Sequence, residues 1–214
     1  MHWSSSDFGI FNWAYCWFNV FLLMLIFGGM ILDKLGVRIT GVASCALMVI
    51  GAFIKYYAVE FISPAPEAGY IFGIRTQVMV ASLGYAIFAV GTENCGITVT
   101  KVIAKWFKGK EMALAMGLEM AIARLGVFAV MWLAPLWAKW FDQSIVAPIA
   151  FCSALLCVGL LCFSVFVVMD LKLDKQLKAA GELSEEASEE EFKFSDLGKI
   201  FANKMFWLVA LLCV

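Results

Sequence analysis

The chain has 214 residues, 63% of them hydrophobic and 15% charged, where a soluble domain is usually about 45–50% apolar and about 25% charged. So much apolar side chain exceeds what one soluble core buries, which excludes an ordinary globular domain. The net charge of -1 conceals acidic residues crowded between positions 182 and 191, and no basic arm points to nucleic acid.

The apolar residues come in blocks of about twenty, the length an α-helix needs to cross a hydrocarbon core of about 30 Å. Five spans are expected, over residues 8–32, 39–57, 78–101, 112–133 and 145–169, and a sixth opens near Met205. The fold class is therefore all-α, a polytopic transmembrane helical bundle. Residues 1–170 are assigned to the bundle, residues 171–203 to a linker and residues 204–214 to the start of the next span. Within the linker, GELSEEASEEE at residues 181–191 is acidic and poor in apolar side chains, the composition of a solvated spacer.

Sidedness follows from the distribution of lysine and arginine. The turn at 33–38 carries Lys34 and Arg38, the 101–111 stretch carries four basic residues and the 171–204 segment six, against only Arg75 and Lys139 in the other two loops. Twelve against two puts the rich loops in the cytoplasm and the N-terminus outside. The first twenty residues lack a basic region and a small-residue cleavage site, so no secretory leader is expected.

The lone histidine is His2, and the seven cysteines fall inside apolar blocks with no C-x-x-C pair. They suit small buried hydrophobes, so no metal and no cofactor are expected. The chain also lacks an intramembrane aspartate pair, H-E-x-x-H and G-x-S-x-G, so an enzyme is not expected either.

The turn after the first span reads GGMILDKLGVR over residues 28–38. Glycines let helices approach closely, Asp33 ends a helix at the membrane face, and Gly36 supplies a tight turn. The run closely resembles the G-x-x-x-D-[KR]-x-G-x-[KR] signature that joins helices 2 and 3 of the major facilitator superfamily. The resemblance implies that Gly29, Asp33, Lys34, Gly36 and Arg38 form a conformational-switch motif. It also implies that the spans are helices 2 to 6 plus the start of helix 7, with the acidic linker between the two six-helix halves. One apolar span upstream and five or more downstream are then expected in the intact protein.

A narrower resemblance covers residues 84–126. Gly91-Thr92-Glu93-Asn94, then KWFKGKE at 105–111, then Gly117-Leu118-Glu119 and Ala123-Arg124-Leu125-Gly126 are similar to the lysosomal dipeptide transporter branch of that superfamily and its microbial relatives. The aromatic stretch WAYCWFN at 13–19, which holds Tyr15 and Asn19, resembles helix 2 of the same branch. One departure is Tyr85, which follows Gly84 where many members of the branch carry an arginine.

Glu93 and Arg124 are the deepest charges. Glu93 lies twelve residues before Lys105 and Arg124 thirteen after Glu111, so at about 1.5 Å per residue both sit roughly 18–20 Å from the same edge, near the midplane. They form either an interhelical salt bridge or the two ends of a substrate site, carboxylate to ammonium and guanidinium to carboxylate. The resemblance favours the second. Asn94, Tyr15 and Asn19 are the remaining candidate substrate contacts, while Lys55 and Lys101 are expected to snorkel to the interface.

Taken together, these features imply an integral, multi-pass membrane transporter of a plasma, bacterial inner or lysosomal membrane that works by alternating access. Its expected substrates are dipeptides or similar zwitterions. Its partners are that small molecule, the lipid bilayer and an accessory membrane protein. The alternatives are an organic-anion carrier that binds through Arg124 alone, and a transporter-like subunit that binds a partner protein and moves nothing.

Overall fold

In lipid a chain has to satisfy every backbone N–H and C=O within itself, and the apolar blocks do so as helices. The computed structural model describes residues 3–21, 24–62, 69–71, 73–107, 110–140 and 146–179. Along these run α1 (Ser5–Phe21), α2 (Met24–Phe61), the short strands β1 (Tyr70–Ile71) and β2 (Ile74–Arg75), α3 (Thr76–Trp106), α4 (Lys110–Trp140) and α5 (Val146–Ala179). Four of the helices are long and apolar enough to cross a membrane. The chain divides into a compact unit of residues 1–173 and a second unit from 174 onward, of which only 174–179 are described.

The third, fourth and fifth expected spans correspond to α3, α4 and α5. The first two are arranged differently: α1 ends at Phe21, and α2 carries both the remainder of the first span and all of the second. Between those two parts Gly36 adopts φ 78° and ψ 166°, which breaks the helix. A positive φ of that size is cheap only for glycine, so the turn expected there has its physical basis in that residue. At the other end α5 continues past residue 169 to Ala179, so the first residues assigned to the linker prolong the helix. The rest of the linker and the span from Met205 lie outside the described residues.

The core is the contact of α2 with α3, and it is built from small residues. A Cβ on Gly84 would come within 2.9 Å of the Gly51 carbonyl and the Lys55 amide nitrogen, and one on Gly91 within 2.8 Å of Met48 N and Ser44 O. Ala52, Ala58, Ala81, Ala86 and Ala89 are buried along the same seam. Lipid tails are as apolar as leucine, so helices in a bilayer gain from close backbone approach more than from large side chains, which explains the glycine and alanine.

Around this pair α1 lies along α3, with Phe11 stacked on Tyr85 at 4.5 Å between ring centroids. Gln77 ties the hairpin end together. It accepts from Trp3 Nε1 at 2.9 Å and donates to the Ile62 carbonyl at 2.9 Å. Beside it the hairpin pairs Tyr70 with Arg75 and Ile71 with Ile74. The helix α5 packs through bulk instead: Phe163 lies against Gly41, and Phe166 approaches Trp106 at 6.1 Å.

Candidate functional site

Two polar layers interrupt the apolar bundle. The deeper one centres on Glu93, halfway along α3. Tyr15, on α1, donates its hydroxyl to Glu93 Oε1 at 3.0 Å. Its ring lies tilted against Tyr85 at 5.2 Å, so an aromatic neighbour helps to hold the donor in place. Asn94 follows Glu93 on α3 and is buried, packed where Gly28 leaves room: a Cβ at Gly28 would strike its Oδ1. Thr98, one turn further, donates to the Asn94 carbonyl at 2.7 Å.

Asn19 stands one helical turn after Tyr15 on α1. Its amide nitrogen and oxygen are both buried without a hydrogen-bond partner, as is Asn94 Oδ1. Buried amides left unpaired are costly unless something polar meets them, so these side chains and the half-buried Glu93 carboxylate suit a polar ligand or water.

Arg124 is placed differently. It is exposed on α4, and among the described residues no ion pair joins it to Glu93. The structure therefore brings together Tyr15, Glu93 and, next along the helix, Asn94, but not Arg124.

Tyr85, at the position of the absent arginine, is covered on one side by Phe11 and on another by Lys55, whose ammonium lies 5.0 Å from its ring centroid and 4.1 Å from that of Phe88. Lys55 was expected to snorkel outward, yet it turns inward. Its backbone packs directly on Gly84, and an aromatic face stabilises a cation where water is scarce.

The second layer lies at the opposite end of the bundle from the hairpin. Asp33 accepts from Lys101 Nζ at 2.9 Å, so that lysine pairs rather than snorkels. Arg38 Nε meets Asp170 Oδ2 at 2.6 Å, and Lys105 Nζ meets Asp170 Oδ1 at 3.1 Å. One buried carboxylate on α5 thus holds one cation from α2 and one from α3. Within the switch motif Gly36 makes the break, Lys34 is exposed, and Gly28 rather than Gly29 is the point of close approach. Sequence reasoning missed Asp170, although one signal was available: it is the lone charge between residues 145 and 171.

At the hairpin end Ser4 and Asp7 cap α1. The Ser4 amide and hydroxyl both donate to Asp7 Oδ2 at 2.9 Å, and the Asp7 amide returns a bond to Ser4 Oγ at 3.2 Å. Those bonds from Ser4, aided by Arg75 at 3.8 Å, hold the Asp7 carboxyl below its ordinary value.

The whole chain, residues 1–214, matches the family model of the Major Facilitator Superfamily. Curated relatives include the lysosomal dipeptide transporter MFSD1 of Danio rerio, 29% identical over 124 residues, which are 58% of this chain and 23% of that protein. The protein of the same name from Mus musculus is 30% identical over 118 residues, or 55% of this chain and 22% of the relative, and that from Homo sapiens 27% identical over 118 residues, again 55% and 22%. The matched segment is thus less than a quarter of the length of these relatives. No solved structure matches the chain. With spanning helices, charge layers and a superfamily match along its whole length, this chain is an integral multi-pass membrane protein that belongs to the major facilitator superfamily.

Proposed function

We propose that the protein to which this chain belongs carries small zwitterions, dipeptides foremost, across a membrane by alternating access. The observation that carries this reading is the state of Glu93. Its carboxylate lies half-buried in the middle of a spanning helix, held by one neutral hydroxyl and by no cation among the described residues. An acid in a membrane helix is expensive unless it faces a watery cavity or a charged partner, and a substrate ammonium is such a partner. The name of the relatives, lysosomal dipeptide transporter, supports the same substrate class.

In this reading Glu93, oriented by Tyr15, takes the amino end, Arg124 takes the carboxyl end, and the unpaired amide of Asn19 meets the polar middle, with Asn94 beside it on α3. The Asp33–Lys101 and Arg38–Asp170–Lys105 contacts brace the cytoplasmic end of this half, so that it moves as a unit when the halves rock. A second reading, an organic-anion carrier that binds through Arg124 alone, is favoured by the absence of an ion pair between Arg124 and Glu93.

Uptake by the full-length protein in proteoliposomes separates the two. Zwitterion transport requires saturable dipeptide uptake whose apparent affinity Glu93→Gln lowers about tenfold or more. An anion carrier would take up monocarboxylates, ignore dipeptides and tolerate that substitution.

A further inference from the structure

A cavity of about 630 Å³ lies on the hairpin side of the bundle, between α1, the last turns of α2, α3 and the start of α5. Its walls are almost wholly apolar, with Phe8, Phe11, Val59, Ile149, Leu155 and Leu156 prominent. Two of the few polar groups are occupied elsewhere, and the Cys152 thiol is only a weak donor. The Trp3 indole N–H donates to Gln77, and the Ser153 hydroxyl donates to the Ile149 carbonyl at 2.8 Å. The exception is Lys55, which lines the cavity and, among the described residues, forms no ion pair; only the faces of Tyr85 and Phe88 support its charge. Because its backbone is pressed against Gly84, the side chain has to leave sideways into this space.

We propose that this cavity binds a single-chain aliphatic carboxylate, its headgroup on the Lys55 ammonium and its chain along Phe8, Phe11, Leu155 and Leu156. The volume is that of a site for one ligand. One compact ammonium, with only the weakly donating thiol of Cys152 for a polar neighbour, matches a monoanion, whereas a phosphate headgroup calls for several strong donors or an arginine fork. An apolar wall with a lone cation rejects a zwitterion, whose own ammonium would be stranded, so this site is separate from that of Glu93 and does not depend on it.

The test uses the purified full-length protein and a hexadecanoic acid with a diazirine in its chain. After illumination the label should map to α1 or to residues 146–156 of α5. Unlabelled hexadecanoate should compete at least tenfold better than hexadecanol, the factor of one charge-assisted hydrogen bond. Lys55→Gln should lose labelling tenfold or more, and Lys55→Arg should keep most of it. If Lys55→Gln fails to fold, the acid and alcohol competition and the label map on the wild type still decide. Equal competition by the alcohol would overturn the proposal. So would label confined to other peptides, the result expected if a further helix of the intact protein fills the cavity. A phosphatidic acid that displaces the probe more strongly than hexadecanoate would overturn the choice of a single-chain carboxylate.

Discussion

The helices α3 and α4 have the same length, 31 residues each, and the membrane windows within them have mean hydropathies of 1.3 and 1.7, yet 44% of the first window is buried and 0% of the second. Hydropathy therefore does not decide which helix becomes the core. Small residues do: Gly84 and Gly91 on α3 meet the α2 backbone, whereas a Cβ at Gly117 or Gly126 of α4 meets nothing within 4 Å. Charges follow the same division. Glu93, Lys101 and Lys105 on α3 all have partners, while Glu119 and Arg124 on α4 form no ion pair among the described residues. The buried helix is a scaffold, and the exposed one offers its surface, with Arg124 on it, to whatever packs or binds there.

The most forceful way to break this contrast is to add bulk. Leucine at Gly84 would drive a side chain into the α2 backbone, so Gly84→Leu should cost about 3 kcal/mol or more, while Gly126→Leu should change little. Thermal unfolding of the two variants in one detergent measures the difference, and equal losses would remove the distinction. Next comes the buried acid. Asp170→Asn removes the carboxylate that Arg38 and Lys105 share, but both cations are partly exposed and Arg38 keeps its bond to the residue-170 carbonyl, so the loss should fall near or below the low end of about 3–5 kcal/mol. Arg124→Gln should leave the melting temperature unchanged.

Smaller effects sharpen the picture. The Asp33–Lys101 pair is partly buried but both its side chains still reach solvent, so Asp33→Asn should cost about 1 kcal/mol of stability, less than the loss at the buried Asp170. Its larger consequence should be in turnover, with transport reduced and substrate affinity nearly constant, because the pair lies far from Glu93. Rates equal to those of the wild type would refute that. The smallest effect is at Asp7. Its folded carboxyl titrates below the unfolded one, so the cap's stabilisation is complete above the ordinary carboxylate value of about 4 and disappears as pH falls through the lower, folded value. A comparison of melting temperatures for wild type and Asp7→Asn should show a gap at pH 6 that closes in strong acid.

Much of this was legible in the sequence. Apolar blocks disclosed the third to fifth spans, and the turn at residues 28–38 the family and the break at Gly36, because length, composition and a glycine with positive φ are local properties. The partners were not. Lys101 finds Asp33 across 68 positions and Arg38 finds Asp170 across 132, and nothing local reports on either. Lys55 was misread for a related reason. Snorkelling follows from depth alone, whereas its inward turn follows from the face that the Gly84 contact leaves open. Depth placed Glu93 and Arg124 at one level but does not make helices pack, and the stretch of α4 around Arg124 is exposed on all sides, so the pair does not form among the described residues.

The central claim is that Glu93 and Arg124 each hold one end of a zwitterion, and binding of capped and free dipeptides to the full-length protein tests it directly. Glu93→Gln should weaken dipeptides with a free amino group about ten- to a hundredfold, the range of one charge-assisted bond, and spare N-acetylated ones. Arg124→Gln should do the mirror image with C-terminal amides. If both variants fold and lose free and capped ligands equally, recognition end by end is contradicted.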